Sequence, residues 1–447
     1  MPPADQAAAP QASNLLFMAR ALKYRNYRLF FIGQGTSLIG TWMTRVATGW
    51  LVYRLTGSAL LLGVISFAGQ LPTLLAAPFG GVIVDRSNRH RVLLITQVLA
   101  MIQSGLLATL ALTHTIGIAS IVVLQAFQGF INAFDTPARQ AFVVEMVETR
   151  EDLPNAIALN SSLVNGARLV GPSVAGVIIA SLGEGLCFLI DALSYLAVIA
   201  SLLAMKVTPP KRRESAPRSM TEDLADGFRY AAGFAPVRVV LIMAAVASIA
   251  SMPQTALMPV FASTVLGGGP HTLGFLTAAT GVGAVCGALW LASRRTVVGL
   301  GRVILAASTC FGTALCIFSF SRQLWLSLLV LVVTGASFMV QLAATNTVLQ
   351  TIAPEDKRGR VMSLYTMAIL GMAPIGSLLA GWLGASIGAP HAVLVSGGMG
   401  LLAAGWFFRE LPGVRRAARP IYVKLGILPE IADGLGASAE LTRPPEK

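Results

Sequence analysis

The sequence GVIVDRSNRHR, residues 81–91, separates two long apolar runs, 60–84 and 92–112. It carries one acid, Asp85, and three arginines. Charges this dense must lie at a water interface, because each costs about 2.5–3.5 kcal/mol at the centre of a bilayer. A connection of about eight residues or fewer is enough for the flanking helices to reverse direction. The stretch therefore predicts a hairpin of two membrane-spanning helices with its turn in water.

The composition excludes an ordinary soluble domain. Of the 447 residues, 55% are hydrophobic and only 12% are charged, whereas soluble domains have about 25% charged residues. A net charge of +13 would suggest a nucleic-acid partner in a soluble protein, but here the distribution of the basic residues along the chain explains it. The composition predicts a polytopic membrane protein with no nucleic-acid partner.

Twelve segments are long and apolar enough to cross a bilayer, whose core of about 30 Å needs about 20 apolar residues per helix. Lipid cannot satisfy the backbone of open sheet edges or loops, so each segment is expected to be helical. The predicted fold class is an all-α polytopic membrane protein with twelve transmembrane helices. The predicted spans are 27–53, 59–84, 91–113, 116–135, 157–182, 186–205, 239–265, 272–292, 303–320, 324–350, 361–387 and 392–408.

The basic residues orient these helices. If the N-terminus is cytosolic, only Arg54 and Arg322 lie in outer loops and only Arg45 and Arg168 lie inside spans, so the other 29 of 33 are cytosolic. This is the asymmetry that the positive-inside rule describes, and an odd number of spans would remove it. We therefore expect both termini to be cytoplasmic.

The longest break between spans divides the chain into two sets of six. Its second part places Leu224, Phe228 and Ala231 on one helix stripe, which is typical of a short helix on a membrane surface. The predicted organisation is a cytosolic N-terminal tail and lead-in helix at 1–26, a six-helix bundle at 27–205, a cytosolic linker with a surface helix at 206–238, a second six-helix bundle at 239–408 and a cytosolic basic tail at 409–447.

The two halves contain a sequence repeat. Residues 171–183 of the fifth span align with 376–388 of the eleventh, with six of thirteen positions identical. Small residues recur at helix interfaces, so the alignment gains its weight from agreement with the six-plus-six topology. Parallel six-helix repeats predict a transporter whose substrate path runs between the halves.

The chain resembles the major facilitator superfamily over essentially its whole length. Its opening stretch is similar to the signature loop of that family, with Asn88 where the family favours Gly. Asn tolerates a left-handed backbone, so we expect the loop to keep its shape. The resemblance implies the major facilitator fold and a gate on the cytosolic side. The matching loop residues are Gly81, Asp85, Arg86, Arg89 and Arg91.

A motif in the fifth span resembles the export-associated motif of the drug:proton antiporters, and its residues are Gly171, Pro172 and Gly176. In the fourth span, Gln125 stands where the family has an Arg linked to proton transfer, so the resemblance does not supply the usual coupling route. Residues 134–140 and 42–56 are similar to the bacterial branch that includes the enterobactin exporter. These resemblances imply export and narrow the substrate to small amphipathic molecules, siderophores among them.

Three charged residues stand well inside the spans: Arg45, Arg168 and Asp191. Arg45 and Asp191 lie at similar depth, about 10 Å from the outer ends at about 1.5 Å per residue. Asp191 is a candidate for the carboxylate that couples export to proton entry; the alternative is a permanent Asp191–Arg45 ion pair that holds two helices together. Arg168 could attract an anionic group of the substrate, or hydrogen-bond to carbonyl groups and lock a kinked helix.

Asp135 and Arg139 lie one turn apart at the cytosolic end of the fourth span, where an ion pair alone is worth only about 0.3–0.5 kcal/mol. The family resemblance suggests a latch between the halves. In that hypothesis Asp135 pairs with Arg86 or Arg89, while Asp85 caps the N-terminus of the eleventh span, where the helix dipole favours an acid.

The family resemblance also places the substrate cavity between spans 1, 4, 7 and 10. Amides, methionines and aromatic residues there would suit bulky amphipathic molecules, although many of them could simply pack between helices. Pro172, Pro253 and Pro374 are expected to bend their helices, because proline removes a helix hydrogen bond. The candidate cavity residues are Gln34, Trp42, Met43, Gln125, Gln128, Asn132, Met252, Gln254, Met258, Met339, Gln341 and Asn346.

These features together predict a secondary active transporter of a bacterial cell inner membrane, a proton-coupled exporter that works by rocker-switch alternating access. Its partners would be a small-molecule substrate, protons and the lipid bilayer, and it would be a monomer. The four histidines lie in separate loops and no phosphate-binding loop occurs, so we expect no metal site, no cofactor and no enzymatic activity. The alternatives are a nutrient or metabolite importer of the same fold and a lipid flippase.

Overall fold

The computed structural model describes residues 20–147, 149, 151–206, 220–294, 296–355, 357–425 and 427, and for residues 220–225 the backbone alone. The predicted N-terminal tail up to residue 19, the first part of the linker and most of the predicted basic C-terminal tail lie outside the described residues. Helices make up nearly all of the described chain.

Six long helices form the first half of the chain. Ser58 and Asn88 cap two of them, each accepting a hydrogen bond from a backbone N–H in the first turn. Gly57 and Gly183, both with positive φ, end two others, because glycine adopts the left-handed region at no steric cost. The helices are α1 (Arg25–Thr56), α2 (Ala59–Arg86), α3 (Arg89–Leu112), α4 (Ile118–Glu145), α5 (Leu153–Leu182) and α6 (Glu184–Leu203).

A short helix, α7 (Met220–Gly233), follows in the predicted linker. The second half then repeats the pattern of the first with six further helices. They are α8 (Ala235–Val265), α9 (Pro270–Ala292), α10 (Leu300–Phe320), α11 (Leu324–Ile352), α12 (Arg358–Ser386) and α13 (Ala389–Lys424).

Eleven of these helices are long and apolar enough to cross a membrane. The first helix, α1, is 32 residues long, more than a bilayer core requires, but it is more polar than the others. It carries Arg25, Arg28, Arg45 and Arg54, and Gln34 and several threonines lie between them. Each predicted span coincides with one of the twelve helices. The all-α fold is confirmed.

The packing joins helices mainly within each half, and two helix pairs make the most extensive contacts between the halves. In the first half α1 packs on α5 and α6, α2 on α4, and α3 on α4 and α6; in the second half α8, α9, α10, α11, α12 and α13 pack in the corresponding way. Between the halves, α5 packs on α9 and α2 packs on α12. The predicted bundle boundaries at 27–205 and 239–408 stay a prediction, which this packing favours.

Two of the three predicted bends are irregular in the structure. Near Pro253, α8 is interrupted at Leu257 and continues as a π-helical turn at Phe261–Val265. A second π-helical turn, Met367–Gly371, directly precedes the turn that contains Pro374. Proline removes a backbone donor, so the hydrogen-bond ladder shifts around it. Pro172, in contrast, lies inside the continuous helix α5.

Both halves begin with a short segment that docks on a later helix. In the described part of the predicted lead-in helix, Arg20–Lys23 form one 3₁₀ turn, whose side chains contact the start of α5. The surface helix α7 contacts the start of α12 through Asp226 and Arg360, 3.3 Å apart. At the other end of the chain, α13 continues to Lys424, well beyond residue 408, where the last predicted span ends.

Candidate functional site

We call the end of the bundle at residues 81–91 the motif end and the opposite end, at Gly57 and Gly183, the far end. The halves are in contact at the far end. Tyr53 Oη and Thr264 Oγ1 are 2.6 Å apart and hydrogen-bonded. Gly63 lies so close to α12 that a methyl group there would be 2.5 Å from the carbonyl oxygen of Ser377. The far end is therefore closed.

Among the described residues, the contacts between the halves run from the far end to about the middle of the helices. Gln70 Nε2 donates to Ser377 Oγ at 3.0 Å, and a methyl group on Gly371 would lie 3.3 Å from Leu74. On the other side of the bundle, a methyl group on Gly281 would lie 3.2 Å from the carbonyl oxygen of Arg168. The described contacts between the two halves therefore lie between the middle of the bundle and the far end.

The motif end does not form the predicted latch in this structure. The side chain of Asp85 is 72% exposed and its ion-pair partner is Arg89, 3.4 Å away on the next helix. Arg89 also pairs with Glu145 of α4. The N-terminus of α12, at Arg358, has no side-chain cap. The cap by Asp85 is wrong for this conformation, because the halves meet at the other end.

The loop itself has a different shape from the one expected. Asn88 has a φ of −72°, an extended backbone, and its side chain accepts a hydrogen bond from the N–H of Arg91 at 3.2 Å. The expected left-handed backbone is therefore wrong, and Asn88 acts as a helix N-cap. Arg86 and Arg91 are exposed, and a methyl group on Gly81 would meet open space.

Asp135 is buried and joins α4 to α3. It accepts hydrogen bonds from Gln97 Nε2 at 2.7 Å and Thr96 Oγ1 at 3.0 Å, and its other oxygen pairs with Arg139 at 3.1 Å. The predicted pairing with Arg86 or Arg89 is wrong in this conformation, because these three donors already satisfy the carboxylate. The donors from α3 were not found from sequence, where a Thr-Gln pair in an apolar run gives no distinctive signal.

The glycines of the antiporter-type motif allow two close contacts between helices. A methyl group on Gly171 would lie 2.5 Å from Trp42 Cβ, so this glycine allows α5 to lie against α1. A methyl group on Gly176 would lie 3.0 Å from the carbonyl oxygen of Pro270, so this second glycine lies in the contact between the halves. The carbonyl of Pro172, between them, faces Gly274 of α9. Small residues at these positions let the helix backbones approach closely.

The deep arginines surround one aromatic ring. Arg45 Cζ lies 4.8 Å from the centre of the Trp42 ring, and Arg168 Cζ lies 5.5 Å from it. Arg45 is exposed although it lies about 16 Å inside the end of α1 at 1.5 Å per residue. Within the described part of the chain, neither guanidinium makes an ion pair.

Asp191 does not pair with Arg45, so the predicted ion pair is wrong. One carboxyl oxygen accepts hydrogen bonds from Thr44 Oγ1 at 2.9 Å and Ser104 Oγ at 2.7 Å. The other has no hydrogen-bond partner among the described residues and points at Gly40, where a methyl group would lie 2.7 Å away. Asp191 is 1% exposed. It therefore lies between α1, α3 and α6, with hydroxyl groups rather than cations around it.

The predicted cavity residues fall into two sets. Gln125, Gln128, Asn132, Asn346, Trp42, Met252 and Met339 are partly exposed along α1, α4, α8 and α11. Five others are buried among the helices, so their assignment to the cavity is wrong in this conformation; they are Gln34, Met43, Gln254, Met258 and Gln341.

Gln341 shows the reason for these misassignments. With Ser308 and Phe311 it lines a cavity of about 10 Å³ inside the second half, at the lower limit of the room that one water molecule needs. Its Oε1 has no hydrogen-bond partner among the described residues. A polar residue on a predicted cavity helix can thus face its own bundle, because sequence alone does not define the rotation of a helix about its axis.

The profile of a family described as "Transmembrane secretion effector" matches residues 19–418. The chain belongs to this family, whose members are transporters. Its fold is that of the major facilitator transporters, in a protein that crosses the membrane many times.

Three relatives match most of the chain. It is 27% identical over 356 residues to the staphyloferrin A transporter of Staphylococcus aureus, covering 79% of this chain and 88% of that protein. It is 27% identical to the multidrug efflux pump Tap of Mycolicibacterium fortuitum, covering 85% and 94%. It is 26% identical to macrolide efflux protein A of Streptococcus pyogenes, covering 84% and 94%.

Solved structures with the same fold include two transporters. A bacterial homologue of the human lysosomal transporter Spinster, in an inward-facing and occupied conformation, matches with a TM-score of 0.69 at 14% identity, covering 90% of this chain and 98% of that one. A variant of the peptide transporter POT matches with a TM-score of 0.71 at 12% identity, covering 88% and 95%. At this identity the likeness shows the fold alone.

Proposed function

We propose that this protein is a proton-coupled exporter of a small amphipathic molecule, such as a siderophore, a drug or a secondary metabolite. It works as a monomer by alternating access between its two bundles, 27–205 and 239–408. The motif end and both termini face the cytoplasm, as the distribution of basic residues predicts. The names of the relatives support export, since two of the three are efflux proteins.

The observation that carries the proposal is the one-sided contact between the halves. The far end is closed by the Tyr53–Thr264 hydrogen bond and by the glycine contacts of α2 and α5, while Asp85 at the motif end is exposed. Such a one-sided contact supports alternating access, in which a transporter opens to the two sides in turn. In this state the substrate enters from the cytoplasm.

Asp191 is the proposed proton carrier. A buried carboxylate without a cation is expensive in free energy, and within the described residues its contacts on the packed helices α1 and α3 are the neutral Thr44 and Ser104. Tyr195, one turn along α6, is also neutral in its ordinary form. Such surroundings favour the protonated acid, and a rearrangement that admits water would favour release of the proton.

The proposal is tested by efflux in a bacterial strain that lacks its own pumps. Cells are loaded with a panel that contains a macrolide and a siderophore, and the release of each compound is followed with and without a protonophore. We expect faster release of at least one compound in cells with the protein, and loss of the difference when the protonophore is added. Accumulation instead of release would make the protein an importer.

Asp191→Asn tests the coupling site. We expect the variant to reach the membrane at the normal level but to lose at least about tenfold of proton-driven efflux, which corresponds to about 1.4 kcal/mol. The matched control is Ser396→Ala, at the corresponding buried position of α13, which should keep its efflux. An Asp191→Asn variant with unaltered efflux and unaltered pH dependence would leave Asp191 as a structural residue.

A further inference from the structure

We propose that Trp42, Arg45 and Arg168 form a binding subsite for an anionic group, and that the molecule transported by this protein therefore carries a carboxylate or a comparable anion. The inference rests on the proposed transport function and specifies its substrate class. It concerns the aromatic ring of α1 with the two guanidinium groups around it, which we call the two-arginine site.

The two-arginine site lies at the boundary between the halves. Arg45, Gly49 and Tyr53 are spaced four residues apart and so share one face of α1. Tyr53 bonds to Thr264 of the second half, and a methyl group on Gly49 would lie 3.5 Å from Pro259. Arg45 lies on that face one turn closer to the motif end than these contacts, and its side chain is exposed.

Arg168 reaches the same region from α5. Its carbonyl oxygen lies against Gly281 of α9, in the second half. Both guanidinium carbons lie close to the Trp42 ring, at 4.8 and 5.5 Å from its centre, so they are at most 10.3 Å apart. Two positive charges are thus held near each other, at the depth where the halves separate.

Among the described residues, no carboxylate pairs with the charges of this site. The sequence has no Asp or Glu between Asp226 and Glu355, so the spans of the second half can offer no carboxylate as far as α11. In the first half, Asp191 bonds to Thr44 and Ser104 instead, and Asp135 bonds to Thr96, Gln97 and Arg139.

A purely structural role for the two arginines would leave a different arrangement. An arginine that locks a helix does so by donating to carbonyl groups or to a carboxylate, as Arg54 does to Glu184 at 2.8 Å. No hydrogen bond from Arg45 or Arg168 to the described residues accompanies their contact with Trp42. No described residue therefore accepts a hydrogen bond from their donors, and arginine matches the two oxygens of a carboxylate in geometry.

The neutral counterpart in the second half supports the same assignment. Gly171 lies against Trp42, and Gly376, at the same position of the repeat, lies against Met252. Met252 therefore corresponds to Trp42, and Thr255, three residues further on, corresponds to Arg45; both Thr255 and Arg45 are exposed. The cavity therefore has a positive wall on the first half and an uncharged wall on the second. An amphipathic anion would place its charge on α1 and α5 and its apolar part against α8.

The test compares two fluorescent probes that differ by one charge. Dansylglycine carries a carboxylate and dansylglycinamide does not, and the dissociation constant of each is measured from dansyl emission with the purified full-length protein. We expect the anion to bind at least about tenfold more tightly than the amide at low salt, and its dissociation constant to rise with added NaCl.

Arg45→Gln and Arg168→Gln should each reduce this ratio about tenfold at most, and together bring it near one without changing the affinity for the amide. Arg54→Gln is the matched control on the same helix and should keep the ratio. If the two arginines only stabilised the fold, their substitution would weaken the binding of both probes equally. Equal binding of the two probes by the unaltered protein, a ratio that survives the double variant, or no saturable binding up to about 1 mM would overturn the proposal.

Failure of this proposal and failure of the proposed function give different results. If the efflux assay shows no export but the ratio of the two dissociation constants depends on the two arginines, the anion site is supported and the transport function is wrong. If export is observed but the ratio does not depend on the arginines, the function stands and only the substrate class is wrong.

Discussion

The two halves share their backbone geometry but not their polar chemistry. Gly171 and Gly376 occupy the same place in the repeat, and each lets its helix lie against the first helix of its own half. Gly183 and Gly388 both have a φ of 85° where the following helix begins. Residues 171–183 and 376–388 therefore correspond in their contacts as well as in their sequence.

The charged residues of the first half have neutral counterparts in the second. A hydroxyl group replaces the buried carboxylate, a hydroxyl and a methyl group replace the two deep arginines, and a thioether replaces the aromatic ring. The corresponding pairs are Asp191 and Ser396, Arg45 and Thr255, Arg168 and Ala373, and Trp42 and Met252. Since the second half folds without these charges, they are not needed for the architecture, and a role in transport accounts for them.

The shared glycine contacts should give the largest effect when they are broken. In Gly171→Val the new side chain would collide with Trp42 Cβ and with the carbonyl of Ile39, and neither atom can rotate away. We expect a cost of at least about 3 kcal/mol, seen as loss of monodisperse protein after extraction from the membrane.

Gly376→Val is the corresponding change in the second half. A methyl group there would lie 2.7 Å from Met252 Cγ, which can move, and 3.0 Å from Ile249 Cα, which cannot, so the loss should be smaller than in the first half. Gly166→Val, on α5 where a methyl group meets open space, should stay within about 1 kcal/mol of the unaltered protein. Equal behaviour of the three variants would refute the role of close approach.

Sequence alone predicted what depends on local composition. The length of an apolar run decides whether a helix can cross a bilayer, so the twelve long helices were predicted correctly. A repeated glycine pattern indicates where two helices pack closely. The partner of Asp191 was not found. Arg45 lies at a similar depth to Asp191, but neighbouring residues on a helix differ by about 100° in direction, and it is Thr44 that faces the carboxyl group.

The latch was missed for another reason. Which end of the bundle is closed depends on the conformation, and one sequence serves both states of an alternating transporter. The acids at the motif end, Asp85 and Asp135, therefore have partners in this structure that the motif does not reveal.

The buried acid of α4 should have the second-largest effect. Asp135→Ala would leave Gln97, Thr96 and Arg139 without their shared acceptor, which we expect to lower the free energy of unfolding by about 2–3 kcal/mol. Gly129 of α4 and Gly335 of α11 make equivalent close contacts, with the carbonyl groups of Gly69 and Thr280. The residue of α11 that corresponds to Asp135 is therefore Gln341, whose Oε1 has no partner among the described residues. Gln341→Leu should be neutral or stabilising, because it removes an unsatisfied acceptor beside a small cavity. Thermal unfolding of the two purified variants measures the contrast, and an equal loss in both would contradict it.

The docking segments at the motif end give the smallest effect. Asp152, at the start of α5, lies 2.7 Å from Lys23 Nζ and accepts a hydrogen bond from Tyr24 at 2.7 Å. The contact with Lys23, and then that with Tyr24, lowers the pKa of Asp152 to about 2. A lowered pKa means that the stabilisation is present above the ordinary value near 3.8 and is lost as the pH falls towards 2.

Hydrogen exchange of residues 20–27, corrected for its intrinsic pH dependence, measures this loss. We expect the exchange to rise below about pH 4 in the unaltered protein and to be high at every pH in Asp152→Asn. In the second half the charges are reversed, since the acid Asp226 lies on the docking helix α7 and the cation Arg360 on α12. Asp226 is about half exposed and its contact is longer, at 3.3 Å, so Asp226→Asn should change the exchange of α7 only slightly. A larger effect at Asp226 than at Asp152 would show that exposure does not set the strength of these two contacts.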